Sequence, residues 1–502
     1  DGLTNEQIAT IVAPLRSRLA QTIARFARLD IDPFDSHVDV IAWSVLESLL
    51  YAVGTPGFDD AQTWLADTWD LLLTTANTWG ADEGGFANGV AYSWYRMAHI
   101  GQTLSAVRVI TGLNLAGHPS LARLGDSLVA FTAPRGQHRG AFGDGAEVTS
   151  HFSNYAFNQF RLYALLTADP VHNWYWKQDT KPYRPGRYFS PWHLMLAGAG
   201  VTTPATHPPQ KQAWAFDDAG VTAIHSDSSA TDRSSVFFRS SEFGSWVHSH
   251  ADQNSFVFNS RGKDLLVSGG YYPYFLSPHH ATVTRATRFN NALTFDGGIG
   301  QAEEAANMPV TPGKPRQSRD ARGVLLNHGD NGTWAGSTGD ATLAYRYRNT
   351  ASGTWTPLLS SALRSVAYNR AERVLIVYDY ALSEQARSWE LNFNALNPLS
   401  LTGGTVRVSN GSALGCIDVH AAPRGGFRLE RGFPVAPENG GVDQYRAIYS
   451  SVSPSTRLVA VSVIREDCRN VPVSVSFAGD GASVSVNGGT AVHFDKQVLT
   501  LP

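Results

Sequence analysis

A chain of 502 residues, 43% hydrophobic and 17% charged, is too long for one compact core and too apolar for a disordered polypeptide, so two or three folded domains are expected. Its net charge of −3 gives no reason to expect nucleic acid or an acidic membrane surface as partner, and no apolar run reaches the roughly 18 residues that membrane insertion requires. The aromatic share of 11%, with 13 Trp and 18 Tyr, suits stacking on sugar rings and suits a large core equally well.

Residues 1 to about 200 read as helices. Thr4 opens a capping box with Gln7, and Ile8, Ile11, Val12, Leu15, Leu19 and Ile23 follow at helical spacing. A second helix is predicted from Asp35 or Ser36 through Trp43, Leu46 and Leu50 to Gly54, and a third from Asp59 or Asp60 to near Gly80. Further helices are predicted over 90–111, 119–132, 154–168 and 190–198, joined by short connections that suit antiparallel neighbours. Paired helices in succession imply part of an α/α toroid. A closed toroid needs about a dozen helices of ordinary length, and about seven are legible. An amino-terminal segment or a separate chain that completes the toroid is therefore expected. The start at Asp1, with no secretory leader, points to a processed chain or a fragment. A secreted or periplasmic location is expected.

The pattern changes near residue 205. Thr203-Pro204-Ala205-Thr206-His207-Pro208-Pro209 reads as a linker. Short runs rich in Val, Phe, Tyr and Thr follow, at Ser235–Arg239, Ser255–Asn259, Asp264–Val267, Arg373–Tyr380, Arg457–Ile464 and Val473–Phe477, separated by Asn-Gly and Gly-Gly turns. The expected class is thus multidomain α + β: an incomplete α/α toroid over 1–204, then a large antiparallel β-sandwich over 205–502. Cys416 and Cys468 either pair, as an oxidising compartment would allow, or stay apart within the sheet.

Three segments carry candidate chemistry. Asp35-Ser36-His37 sits at a helix start, where the positive end of the dipole favours a neutral imidazole able to accept a proton; a capping or surface histidine is the ordinary alternative. Residues 82–94 run from an acidic, Gly-rich loop through Asn88 into a helix bearing Tyr92 and Trp94; Tyr92 is a candidate proton carrier, or part of an aromatic core stripe. Residues 244–256 hold Trp246, His248, His250, Asp252, Gln253 and Asn254; His-x-His in an extended segment puts both rings on one side, for substrate or for metal. Asp144 and Glu147 offer carboxylates that a glycosidase would need, although a solvated loop explains them as well.

With these segments in view, the chain resembles the heparinase II/III-like lyases, and most of all polysaccharide lyase family 15, the exolytic oligoalginate lyases and exolytic heparinases. The resemblance is carried by Asp-Ser-His at 35–37, Asp-x-Gly-Gly-Phe-Ala-x-Gly-x-x-Tyr at 82–92, Phe-Gly-Asp-Gly-Ala-Glu at 142–147 and Phe-Arg-Ser-Ser-x-x-Gly-Ser at 238–245. It continues in His-Ser-His-Ala-Asp-Gln-Asn-Ser-Phe at 248–256 and Thr-Arg-Phe-Asn-Asn-Ala-Leu-Thr-Phe-Asp-Gly-Gly at 287–298. It implies a β-elimination on uronate glycans, with His37, Tyr92 and His248 as catalytic residues and a further β domain before the toroid. Asn88, Trp94, Trp246, His250, Gln253 and Arg288 are the expected substrate contacts. Related heparinases hold a zinc ion at positions that read His250, Ser268 and Asn290 here. Two of those three cannot serve, so no metal and no other cofactor is expected. Val38-Asp39 and Asn88 also stand where relatives carry basic residues and Glu.

The expected partner is an acidic oligosaccharide or polysaccharide. Heparin usually demands clustered Lys and Arg, whereas 40 basic residues here face 43 acidic ones, which favours alginate oligomers over heparin or heparan sulfate. A glycoside hydrolase on the same toroid, with its carboxylates drawn from Asp82, Glu83, Asp144 and Glu147, and a non-catalytic glycan binder are the competing readings.

Overall fold

The structure, a computed structural model, describes residues 2, 4–26, 36–75, 83–135, 141–146, 159–178, 192–302, 320–348 and 352–502. The chain divides into two compact units. The first comprises Asp1–Gly85, Ser93–Leu128 and Asn154–Pro208, and the second Phe86–Tyr92, Val129–Ser153 and Pro209–Pro502. Residues 205–208 group with the helices, and two segments from the helical half of the sequence group with the sheets.

The first unit is helical. The Thr4 box forms as expected: the Gln7 N–H donates to Thr4 Oγ1 (3.2 Å) and the Thr4 N–H to Gln7 Oε1 (2.7 Å), and α1 (Asn5–Phe26) follows. Next come α2 (Ser36–Ala52), α3 (Ala61–Thr75) and α4 (Val90–Thr111). The helix predicted over 119–132 is two, α5 (Pro119–Ala122) and α6 (Leu124–Phe131), interrupted at Arg123. Helix α7 is described over 159–167, and α9 spans Trp192–Gly198. Between them lies α8 (Pro170–Gln178), which the apolar spacing did not announce. Its signal is Asp169-Pro170: the Val171 N–H donates to Asp169 Oδ1 (2.7 Å), so Asp caps the turn and Pro occupies the first position, where no N–H is needed.

Ile23, Val45, Leu49, Ala52, Phe58 and Ala61 form one apolar cluster of this unit. A polar tie joins α2 to α4. Asp39 is fully buried, pairs with the guanidinium of buried Arg96, and accepts from Trp43 Nε1 (3.1 Å). Asp39 therefore has a structural partner where the resemblance led one to look for a basic substrate contact. Asp39→Ala leaves Arg96 charged and buried, and should destabilise this unit by about 3–5 kcal/mol in urea unfolding followed by helix signal. Replacing both partners with apolar residues should cost less than the single change; equal or greater loss would contradict the assignment.

The second unit is built from antiparallel sheets. Strands β1 (Ala213–Phe216), β2 (Val221–His225), β3 (Ser235–Arg239), β4 (Ser255–Ser260) and β5 (Lys263–Leu266) form one five-stranded sheet in chain order. An eight-stranded sheet has the strand Val374–Arg387 between Ser361–Asn369 and Ser455–Glu466. The period of two along Val374–Arg387 explains the layering. Leu375 and Val377 enter the main core with Phe238, Phe256, Phe258 and Trp389, whereas Ile376 and Tyr378 face a second core with Val461, Val484 and Phe494. That second core belongs to a four-stranded carboxy-terminal sheet within Val473–Thr500. The expected sandwich thus carries a third layer. Cys416 and Cys468 are disulfide-bonded. Among the described residues no helix is long and apolar enough to cross a membrane.

Candidate active site

Strands β3 and β4 pair in register from Arg239↔Ser255 to Ser235↔Asn259, so residues 240–254 must form a loop at one end of the pair. Polar side chains fix its path. Buried Arg239 pairs with Asp252 and donates to Gly244 O (2.9 Å), to which Gln253 Nε2 also donates (3.0 Å). Asn254 donates through Nδ2 to Gly339 O and Ala362 O (3.1 Å each). The density of polar groups in Asp252-Gln253-Asn254 is therefore scaffold chemistry. Val247 holds a left-handed backbone (φ +52°), unusual for a β-branched residue. It is clamped on both sides. Arg285 donates to Val247 O (2.7 Å) and Ser245 O (2.6 Å), and the next N–H, of His248, donates to Asn88 Oδ1 (2.9 Å).

Asn88 belongs to Phe86–Tyr92, and Asp144 to the segment that follows Phe142. Two glycines let these backbones meet. A Cβ on Gly89 (φ +95°) would lie 2.7 Å from Phe142 O, and one on Gly143 (φ +70°) 2.9 Å from Gly89 Cα and 3.0 Å from His248 O. The Asp144 N–H then donates to His248 O (2.9 Å).

The carboxylate of Asp144 is the centre of the arrangement. His248 Nδ1 lies 2.7 Å from Oδ2, while His250 Nε2 (2.8 Å) and His280 Nε2 (2.6 Å) both reach Oδ1. All four residues are buried. Burial pushes the Asp144 carboxyl upward, but the hydrogen bonds from His248, His250 and His280 outweigh it and hold the group well below the usual carboxylate range. Asp144 is thus ionised, and a carboxylate on Nδ1 puts the His248 proton there and the lone pair on Nε2. The Tyr92 ring stacks on His248 with centroids 3.6 Å apart and planes at 13°. Phe275 and Tyr272 meet His248 edge-on at 5.6 and 6.3 Å.

The expected site residues are distributed unevenly. Tyr92, His248, His250 and Asn88 come together in the second unit. His37, exposed near the start of α2, and Trp94, buried in α4, belong to the helical unit. Asn88, Gln253 and His250 are buried: Asn88 Oδ1 accepts the His248 N–H, Gln253 Oε1 accepts the Ser241 N–H, and His250 Nε2 reaches Asp144. Trp246 and Arg288 are half-buried. Asp144 corrects the solvated-loop reading. His280 was missed altogether; its signal is Ser277-Pro278 ahead of it, a helix-opening pair in which Ser277 Oγ accepts the His280 N–H (3.0 Å). Asp35, Asp82 and Glu147 lie outside the described residues.

Asp144, His250 and His280 bring three potential metal-ligand atoms within 4.8 Å of one another. The N···O spacings of 2.6 and 2.8 Å are hydrogen-bond contacts. Ligands around a tetrahedral zinc with bonds of about 2.0–2.1 Å stand about 3.3 Å apart. His280 Nδ1 accepts the Leu276 N–H (3.0 Å), so its proton sits on Nε2, the atom a metal would need. Of the positions implied by resemblance, Ser268 offers a hydroxyl and Asn290 donates through Nδ2 to Ala286 O (3.0 Å). The residues present do not fit a zinc ion.

Comparison with known proteins agrees with this architecture. Residues 208–417 match the family model of the heparinase II/III-like C-terminal domain. No curated protein matches the chain. Among solved structures, the chain is similar to a heparinase III (12% identity, TM-score 0.70, covering 97% of this chain and 68% of that one). It is also similar to a variant of heparan sulfate lyase HepC from Pedobacter heparinus (13%, TM-score 0.69, 97% and 70%). A variant of the chondroitin AC lyase of Streptomyces coelicolor A3 is more distant (12%, TM-score 0.51, 98% and 70%). The shared fold is a helical amino-terminal region followed by a large antiparallel β-sheet domain.

Burial holds His99, His172, His279 and His280 below the ordinary imidazole value, against neighbouring groups that raise them. Below about pH 6.5 the unfolded chain therefore binds protons that the folded chain does not, and stability falls as pH drops through that value. The contribution of Asp144 persists through this window and is lost only well below about pH 3.9. Scanning calorimetry should show Tm decreasing from pH 7.5 to 5.5; a flat or rising Tm would contradict this reading.

Proposed function

We propose that this protein is a polysaccharide lyase that cleaves a uronate-containing acidic glycan by β-elimination. The observation that carries the reading is the chain of contacts from Asp144 to His248 to Tyr92: a carboxylate-oriented imidazole stacked on a phenol. The fold shared with heparinase III, HepC and chondroitin AC lyase supports it.

The chemistry follows from what removal of the uronate C5 proton demands. It creates negative charge beside a carboxylate, so the site must supply a proton acceptor, a donor for the departing O4, and positive charge for the enolate-like state. When His248 Nε2 takes a proton, the resulting charge is compensated by Asp144. It lies against the Tyr92 ring, where it stabilises negative charge on the phenol oxygen. In a syn elimination the Tyr92 phenolate takes the C5 proton, the C–H electrons form the C4=C5 bond, and the C4–O4 bond breaks. Tyr92 then returns the proton to O4. The ring ends in the state in which it began. In an anti elimination His37 is the second candidate base. Arg288, half-buried, is the candidate partner of the substrate carboxylate.

For the substrate, the solved relatives are named for heparin, heparan sulfate and chondroitin, which favours a glycosaminoglycan. The near balance of 40 basic and 43 acidic residues is what favours alginate oligosaccharides, and exolytic action rests on the resemblance to family 15. The hydrolase reading is weaker. The Asp144 carboxylate accepts from three imidazoles and is fully buried, so it is poorly placed to protonate a glycosidic oxygen.

A panel of heparin, heparan sulfate, chondroitin, hyaluronan and alginate, read by ultraviolet absorbance of the unsaturated uronate and by product sizing, tests the reading. An absorbing product from at least one polymer is expected. None from any, or a product without absorbance, would overturn it. Tyr92→Phe should retain its Tm and lose about 10²–10⁴-fold in kcat; near wild-type turnover in the folded variant would remove Tyr92 from the mechanism.

A further inference from the structure

The Asp144 cluster contains more than the proposed elimination uses. Among the described residues His248 alone touches Oδ2, whereas two imidazoles converge on Oδ1: His250 from the same loop, and His280 from a separate turn 136 residues along the chain from Asp144. A carboxylate held by one donor can rotate about its Cβ–Cγ bond. Two donors on one oxygen fix that rotation and direct the other oxygen at His248 Nδ1. A carboxylate or carbonyl hydrogen-bonded to a metal-binding histidine orients that ring in the same way.

His280 is well anchored for the task. Its N–H donates to Ser277 Oγ (3.0 Å), its Nδ1 accepts from the Leu276 N–H (3.0 Å), and it begins the π-helical turn His280–Thr284. That turn ends at Arg285, which holds Ser245 O and Val247 O and whose own carbonyl accepts the Ala251 N–H (3.0 Å). The turn bearing His280 and the loop bearing His248 and His250 are thereby locked together. The second nitrogen of His250, Nδ1, is buried and has no hydrogen-bond partner among the described residues. A metal-bound imidazole ordinarily donates from that nitrogen to a carbonyl or carboxylate. Neither His250 nor His280 has the surroundings of a ligand.

We propose that in this protein the imidazole N–H of His280, with that of His250, replaces a structural cation: His280 is a positioning residue that orients Asp144, and through it His248, without metal. A proton on nitrogen does here what a divalent ion would do between the same groups, joining one carboxylate to two imidazoles at hydrogen-bond length. The inference adds a residue and a metal-free site to the lyase reading, on which its kinetic arm rests.

The test combines metal analysis with His280 variants of the full chain. Protein dialysed against zinc chloride and then desalted should hold well under one zinc per chain by elemental analysis, and neither zinc nor a chelator should shift its Tm. His280→Ala should lower kcat by about 10–100-fold on the best polymer of the panel with KM little changed. His280→Gln, whose amide N–H can still reach a carboxylate oxygen, should recover most of that loss. One retained zinc per chain, a Tm that falls with chelator and returns with zinc, or a Gln variant as impaired as Ala would each overturn the proposal. If His280→Ala does not fold, zinc content and Tm of the unmodified protein still decide. Because those two readouts need no substrate, they separate failure of this inference from failure of the lyase reading, which is judged by the polymer panel.

Discussion

The candidate site depends on one buried negative charge. Asp144 has no access to water, and an ionised carboxylate in such a place must be compensated by donors or it will take up a proton. Three imidazoles supply the donors, and each comes with a constraint. His248 and His250 arrive on one loop, two residues apart, and His280 on a distant turn. Satisfying Asp144 therefore fixes three pieces of backbone relative to one another. The same bonds assign the imidazole protons, which decides that His248 carries its lone pair on Nε2.

The rest of the unit can be understood as support for that convergence. The loop between β3 and β4 would be free to move if it carried only His248 and His250. Instead the Arg239–Asp252 pair closes its base, Gln253 and Asn254 tie it to neighbouring backbone, and Arg285 clamps the left-handed Val247. Gly89 and Gly143 allow the segment carrying Asn88 and Tyr92 to approach the segment carrying Asp144 more closely than side chains would permit. The large apolar cores lie below, with Phe238 of β3 and Phe256 of β4 packed among the aromatic residues of the main core. A rigid strand pair thus presents a rigid loop, and the loop presents an oriented imidazole under a phenol. In the proposed elimination, which carries one proton from C5 to O4, that rigidity is the useful property.

Polar residues in sequence motifs divide by burial. Asp252, Gln253 and Asn254 look like site residues because they are polar and adjacent to two histidines, yet each spends its hydrogen bonds on the scaffold. Asp39 is similar in the helical unit: a charged residue beside a candidate catalytic histidine that turns out to hold α2 against α4 through Arg96. Conversely, Asp144 reads as an unremarkable loop carboxylate, and it is the residue on which the others converge.

What the sequence determined by itself is local. Helical spacing, the Thr4 capping box and the alternation of Val, Phe and Tyr are governed by neighbours a few residues apart, so the helical first part, the sheet-rich second part and most element positions were legible from residue order; α8 escaped because it is short and announced only by its cap. The His-x-His segment and Tyr92 were visible as candidates for the same reason. Tertiary structure alone decided where the two compact units divide, that Cys416 and Cys468 are joined, and which polar groups meet. Asp144 lies 104 residues from His248 and 136 from His280, and nothing in local spacing can report that three rings share one carboxylate. Such a meeting depends on the register of distant strands and on the closeness that two glycines allow, and these are properties of the folded chain.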